Sequence, residues 1–223
     1  NSYLIDTEYP IISEENKQNS YKERKEWETC WIVDPLDGTK EFVKRNGEFT
    51  VNIALVKKNT PVLGVIYVPF SKTLYYANVT AKKAYKINLK YHEYSKELFG
   101  SNKNEIYPTK GMSNQIKVIG SRSHKSLETD NFIDKLKQEG TQVELVSVGS
   151  SLKFCRVAEG NAEIYPRFAP TMEWDTAAAD AIVRESGKMT HQYNSTFNIQ
   201  HPTSLTPVVY NKVNLLNPWF VVR

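Results

Sequence analysis

The sequence predicts an α+β first half joined to an α/β second half, on three observations. Between residues 30 and 77, short runs of β-branched and aromatic residues follow one another with only turns between them, which marks an antiparallel sheet. From residue 116 to residue 186, strand-like runs alternate with stretches whose apolar residues recur at helical spacing, which marks a layered α/β unit. Between the two, Pro108, Gly111 and Ser113 interrupt both patterns within residues 107–114, so one lobe is expected over 1–112 and another over 113–223.

In chain order, strands are predicted at 30–33, 49–56, 61–68 and 73–77, each rich in Val, Ile, Leu or Tyr, with Lys58, Asn59 and Thr60 as a turn. From 83 to 111 the period degrades into Lys, Asn, Tyr and Glu, and a strand remnant followed by a surface loop is expected. The second half reads as strand 116–119, helix 128–138, strand 142–147, helix 151–159, strand 162–165 and helix 174–186. In the last helix Trp174, Ala178, Ala181 and Ile182 fall on one face, and Gly187 supplies the stop.

The chemistry concentrates where the first strand ends, in Trp31-Ile-Val-Asp-Pro-Leu-Asp-Gly-Thr39. Pro35 fixes φ and is expected to block further strand pairing, so that Asp34 and Asp37 converge across one turn. Their oxygens suit a hard cation. Gly38 lets the backbone approach a ligand, and the Thr39 hydroxyl beside backbone amides suits a phosphate. Alone, this segment also reads as an ordinary turn. Two more acidic segments, Ile11-Ile-Ser-Glu-Glu-Asn16 and Glu173-Trp-Asp-Thr-Ala-Ala-Ala179, weigh toward a metal site. Glu14 and Glu15 point to opposite sides of an extended segment, so only one can be a direct ligand. Asp175, in the first turn of a helix, is also stabilised by the macrodipole without any ligand. In Ser150-Ser-Leu-Lys-Phe-Cys155, Ser150 is read as a helix cap with Lys153 in the first turn, an arrangement that can bind anions. Taken singly, Lys153 and Arg167 read as solvated charges and His124 as a structural residue.

The chain has 223 residues, 40% of them hydrophobic, enough for a sizeable core, and no apolar run approaches a membrane span. Against 25 acidic residues stand 29 basic ones, a net charge of +4. That is too mild to argue for a nucleic-acid polymer and does not oppose a small polyanion. Cys30 and Cys155 form neither a CxxC pair nor a zinc pattern and are expected to be reduced and buried.

Together these segments resemble the magnesium-dependent, lithium-sensitive phosphatase family that contains inositol monophosphatase, fructose-1,6-bisphosphatase and the 3′(2′),5′-bisphosphate nucleotidases. The likeness runs over residues 11–223 and is strongest to nucleotidases of the CysQ type, through residues 31–56 and 149–176. It implies a layered αβαβα sandwich of the carbohydrate-phosphatase, inositol monophosphatase-like type, in two lobes with the metal site between them. It also implies Mg2+, two or three ions: Glu14, Asp34, the carbonyl of Leu36 and Asp37 hold the first, and Asp175 helps hold the second. Glu14 and Thr39 then orient or deprotonate a metal-activated water, while amides near Gly38 and Thr39 hold phosphate oxygens. By the same resemblance Ser150, Lys153 and Arg167 contact a nucleotide, Asp175 lies by the substrate and His124 lies near the adenosine.

The implied reaction converts 3′-phosphoadenosine 5′-phosphate to AMP and phosphate, with 3′-phosphoadenosine 5′-phosphosulfate as a further substrate. The implied location is cytoplasmic, or peripheral at the inner membrane. One alternative is an inositol monophosphate or sugar phosphate phosphatase, which shares the metal motifs but not the basic grip. Another is a non-catalytic binding relative, motivated by a family segment of N-terminal helices with a Thr-x-x-Asp motif that would precede Asn1. Two departures from the family pattern stand out: Ser186-Gly187-Lys188 where Gly-Gly is common, and Asp180 where a small residue is common.

Overall fold

In the computed structural model, which describes residues 4, 6–93, 96–108, 115–120, 126–194 and 206–223, the first half forms one seven-stranded sheet in chain order. Its strands are β1 (Ile11–Ser13), β2 (Thr29–Asp37), β3 (Thr50–Lys57), β4 (Thr60–Val68), β5 (Thr73–Asn78), β6 (Lys83–Asn88) and β7 (Glu105–Ile106). β1 runs parallel to β2, and all other neighbours are antiparallel. Lys58 and Asn59 adopt φ of 47° and 62°, the left-handed pair that a tight hairpin between β3 and β4 requires. The expected remnant at residue 83 is a full strand paired with β5 along its length. Its lysines obscured the pattern, yet Ala84, Tyr85 and Ile87 are buried, and Tyr85 stacks on Tyr76 at 4.7 Å.

The second half supplies β8 (Gln115–Gly120), α3 (Leu127–Gln138), β9 (Gln142–Ser147), α4 (Leu152–Ala158), β10 (Tyr165–Arg167), α5 (Glu173–Glu185), β11 (Thr190–Gln192) and β12 (Phe220–Val222). β8 and β9 pair in parallel, and β12 lies between β10 and β11 in an antiparallel sheet. The strand expected at 162–165 is displaced: Ile164 makes only a single bridge to Val118, and the ladder runs over residues 165–167. β11 and β12, three residues each, were not expected, nor were α1 (Tyr21–Arg24) and α2 (Thr39–Val43). The boundary expected at 112/113 lies outside the described residues, as does His124. Among the described residues no helix is long and apolar enough to cross a membrane.

α5 crosses the face of the seven-stranded sheet, where Ala177, Ala178, Ala181 and Ile182 share a core with Ile32, Ala54, Val56 and Ile66. The small alanines let helix and sheet approach closely. A Cβ at Gly64 of β4 would stand 2.2 Å from the carbonyl oxygen of Ala178, so glycine is the residue this contact admits. The start of α5 is pinned by polar contacts. Glu173, fully buried, accepts from the amides of Asn211 (2.5 Å) and Lys212 (3.0 Å) and from the Lys212 ammonium (2.5 Å). Buried Arg24 donates to Asn211 Oδ1 at 2.8 Å and to the Lys212 carbonyl at 3.0 Å, tying the N-terminal segment to the same loop. Asp180 is also buried and pairs with Arg184 at 2.9 Å. Its direction, open in the sequence, is into the core.

Candidate metal and phosphate site

Three aspartates meet because the strand that carries two of them is bulged. Asp34 and Asp37 stand three positions apart, an odd offset that in a regular strand would put them on opposite faces. Asp34 lies opposite Asn52 and Asp37 opposite Thr50, so β2 spends one more residue than β3 over this interval. The bulge, which contains Pro35 and Leu36, returns both carboxylates to one face. Pairing therefore does not stop at Pro35, as the sequence suggested, but resumes after it. The parallel register sets Ile12 beside Ile32, so Glu14 follows on the face of Asp34, while its amide donates to the Val33 carbonyl at 3.4 Å. Asp175 arrives from the first turn of α5.

Carboxylate oxygens of Asp34, Asp37 and Asp175 all lie within 4.8 Å of one another. Each is held by a main-chain amide through one oxygen. Asp34 Oδ1 accepts from Leu36 N at 2.9 Å, Asp37 Oδ2 from Ser151 N at 2.6 Å, and Asp175 Oδ2 from Met172 N at 2.7 Å. This leaves the opposite oxygen of each without a hydrogen bond among the described residues. Burial, reinforced by Asp37 and also by Glu14 and Asp175, pushes the Asp34 carboxyl up to about 8. Burial, then Asp37 and Glu14, raises Asp175 to about 7. Three crowded acids, each with a spare oxygen, are a donor set that a hard divalent cation fits. Glu14 is exposed and outside this compact group, acting on it through charge. Glu15 is exposed as well.

A cavity opens against the cluster, lined by Asp37, Gly38, Thr39, Ser150, Lys153, Arg167 and Asp175. The structure thus brings seven of the sequence-predicted residues to one hollow, with Asp34 and Leu36 in the strand leading into it. Gly38 has φ of 87° at the start of α2, and an added Cβ would lie 3.1 Å from that of Ser150. Lys153 Nζ donates to the Ser150 carbonyl at 3.1 Å and lies 5.9 Å from the Tyr165 ring. Burial lowers the Lys153 pKa, with Asp37 working in the other direction. Arg167 donates to the Pro170 carbonyl at 3.0 Å, and its buried Nε has no hydrogen-bond partner among the described residues.

Ser150 does not cap α4 as expected. Its φ is 44°, and Ser151 occupies the cap position without bonding a helix amide. Instead the Ser151 hydroxyl faces Asp37 Oδ2 at 2.9 Å and the Asp175 carbonyl at 2.8 Å, and it accepts from Asn52 Nδ2 at 2.9 Å. Glu48 accepts from Gly149 N at 2.7 Å, fixing the approach to this turn. Sequence reasoning missed Ser151, Asn52, Thr50 and Glu48. A signal existed: Thr50 and Asn52 stand at alternate positions of an otherwise apolar strand, both nearly inaccessible, which marks a polar patch inside the core face.

The profile of the inositol monophosphatase family matches residues 5–216. The chain is 45% identical over 192 residues to 3′(2′),5′-bisphosphate nucleotidase CysQ of Salmonella typhimurium, covering 82% of this chain and 67% of that protein. It is 40% identical over 221 residues to CysQ of Escherichia coli K12, covering 96% and 75%. Among solved structures, CysQ from Bacteroides thetaiotaomicron, a bacterial member of the inositol monophosphatase family, superposes with a TM-score of 0.87 at 48% identity, over all of this chain and 79% of the other. Inositol monophosphatase II of Staphylococcus aureus, at 20% identity, shares the fold with a TM-score of 0.73 over 99% of this chain and 74% of the other. A layered mixed-sheet fold, an acidic cluster that could hold a cation and this extent of likeness lead to one assignment: the chain belongs to the inositol monophosphatase family.

Proposed function

We propose that this chain is a magnesium-dependent 3′(2′),5′-bisphosphate nucleotidase. It removes the 3′-phosphate of 3′-phosphoadenosine 5′-phosphate to give AMP and phosphate, and it accepts 3′-phosphoadenosine 5′-phosphosulfate as a second substrate. The observation that carries this reading is one cavity in which anchored aspartates and two basic side chains, Lys153 and Arg167, share the lining with Gly38 and Thr39. The names of the CysQ relatives support it.

Asp34, Asp37 and Asp175, with Glu14 and the Leu36 carbonyl, would hold two or three Mg2+ ions. When bound, such ions neutralise the phosphate under attack, activate water and stabilise the leaving oxygen. The chain's own groups do the rest. Glu14 and Thr39 orient the attacking water, and the Glu14 carboxylate takes its proton; as the new phosphorus–oxygen bond forms, the bond to the 3′-oxygen breaks and that oxygen takes a proton from solvent. Amides at Gly38 and Thr39 hold the phosphate oxygens. Lys153, Arg167 and Ser150 grip the phosphate that remains, and the resemblance alone assigns His124, outside the described residues, to the adenosine. An anion in the cavity would also offset the desolvation that lowers the Lys153 pKa. The buried, unpaired cysteines support a cytoplasmic location.

The test is magnesium-dependent phosphate release from 3′-phosphoadenosine 5′-phosphate beside inositol 1-phosphate. Preference for the nucleotide is expected; preference for the inositol ester moves the assignment to the sugar-phosphate branch, and release from neither removes catalysis.

A further inference from the structure

Ser151 has hydrogen-bond contacts to two of the three clustered aspartates, and its bonding pattern is constrained. Asn52 Nδ2 donates to the Ser151 oxygen, so the hydroxyl hydrogen must point away from Asn52, toward Asp37 Oδ2 or the Asp175 carbonyl. Asn52 is itself oriented, because its Oδ1 accepts from the Thr50 hydroxyl at 3.0 Å. Ser151 N donates to the same Asp37 Oδ2. That oxygen therefore faces two donors from one residue, with Thr50 Oγ1 more distant at 3.4 Å. The amide bond, with the hydroxyl beside it, engages Oδ2, so Oδ1 is the Asp37 oxygen left without a hydrogen bond among the described residues and turned free for a cation. The donors are almost inaccessible: Ser151 is 2% exposed, Asn52 1% and Thr50 not at all.

We propose that Ser151 is a positioning residue for the metal cluster. It fixes Asp37 as a one-oxygen ligand and locks it to the backbone of Asp175, with Asn52 setting the direction of the hydroxyl. The inference deepens the proposed metal-dependent activity and rests on it. Because Ser151 follows Ser150 and precedes Lys153 by two positions, it also joins the basic side of the cavity to the acidic side through a single turn. Partners that orient a ligating carboxylate typically change metal affinity by about 10- to 100-fold.

The experiment is a calorimetric Mn2+ titration of the full chain and of Ser151→Ala, with the melting temperature in EDTA and the Mg2+ dependence of phosphate release measured on both. Expected are an Mn2+ affinity about tenfold weaker or more, a matching rise in the Mg2+ needed for half-maximal rate, and recovery of most of the rate at saturating Mg2+. An Mn2+ affinity within about threefold of the parent overturns the inference, whatever the loss of rate or stability, since such losses then reflect packing alone. If Ser151→Ala does not fold, Asn52→Ala is read by the same criterion, as it removes only the group that orients the hydroxyl. A parent chain that binds no Mn2+ overturns the proposed function and this inference together, whereas a parent that binds and a variant that binds equally overturn the inference alone.

Discussion

At the scale of single residues, the cluster sets charge against geometry, and the two can be separated. Asp37→Asn keeps an oxygen for the Ser151 amide and removes one of the mutually repelling carboxylates. Phosphate release is expected to fall by about two orders of magnitude or more, while the melting temperature in EDTA stays level or rises. Full magnesium-dependent activity in that variant would take Asp37 out of the site. Lys153→Ala should weaken the bisphosphate nucleotide far more than inositol 1-phosphate, because Lys153 lines the basic side of the cavity and not the aspartate cluster. Equal losses in kcat/KM on the two substrates would contradict the division of labour. The aspartates, Gly38, Thr39, Lys153 and Arg167 were legible as types at suggestive positions. Ser151 was not, because its role depends on a positive-φ turn at Ser150 that redirects a nominal helix cap onto the Asp37 carboxylate of β2.

At the scale of elements, two contacts decide how the site is carried. α5 delivers Asp175 only because it lies close against β4, and Gly64→Ala would force the Ala178 backbone away. A loss of roughly 1–3 kcal/mol is expected from such overpacking, read by chemical denaturation. An unchanged midpoint would mean that the helix is free to lift. The small sheet behind α5 carries a second, pH-dependent contact. Burial, then the charges of Arg223 and Arg184, pushes the His191 imidazole down to about 4 from its ordinary 6.5. Protonation therefore favours the unfolded chain: the stability from neutral His191 is complete above about 6.5 and drains as pH falls through about 4. His191→Gln should flatten the fall of melting temperature across that window, and parallel curves for the two proteins would refute it. The long elements were legible because periodicity accumulates over several turns or pairs. β11, β12 and α2 were not, since each is held by tertiary pairing over five residues or fewer.

At the scale of the whole molecule, the two halves of the chain share one core, for α5 from the second half covers the sheet of the first. The sequence distinguished the two patterns of secondary structure well, since one is a run of hairpins and the other an alternation. It did not reveal how they interlock, because that depends on loops such as the one from Asn211 to Val213, which joins Arg24 to Glu173 with no periodic signal.

The joining of the bulge in β2, the turn at Ser151 and the start of α5 has a kinetic corollary. These segments are distant in the chain, so the cation pocket exists only after the slow, long-range closures of folding are complete. A divalent ion then has nothing to grip in the unfolded chain or in an early transition state, and its binding energy is added to the native state alone. Magnesium is expected to slow unfolding in stopped-flow denaturant jumps while leaving the refolding rate where it was, so that the ion acts as a latch on the finished protein and not as a guide to its assembly.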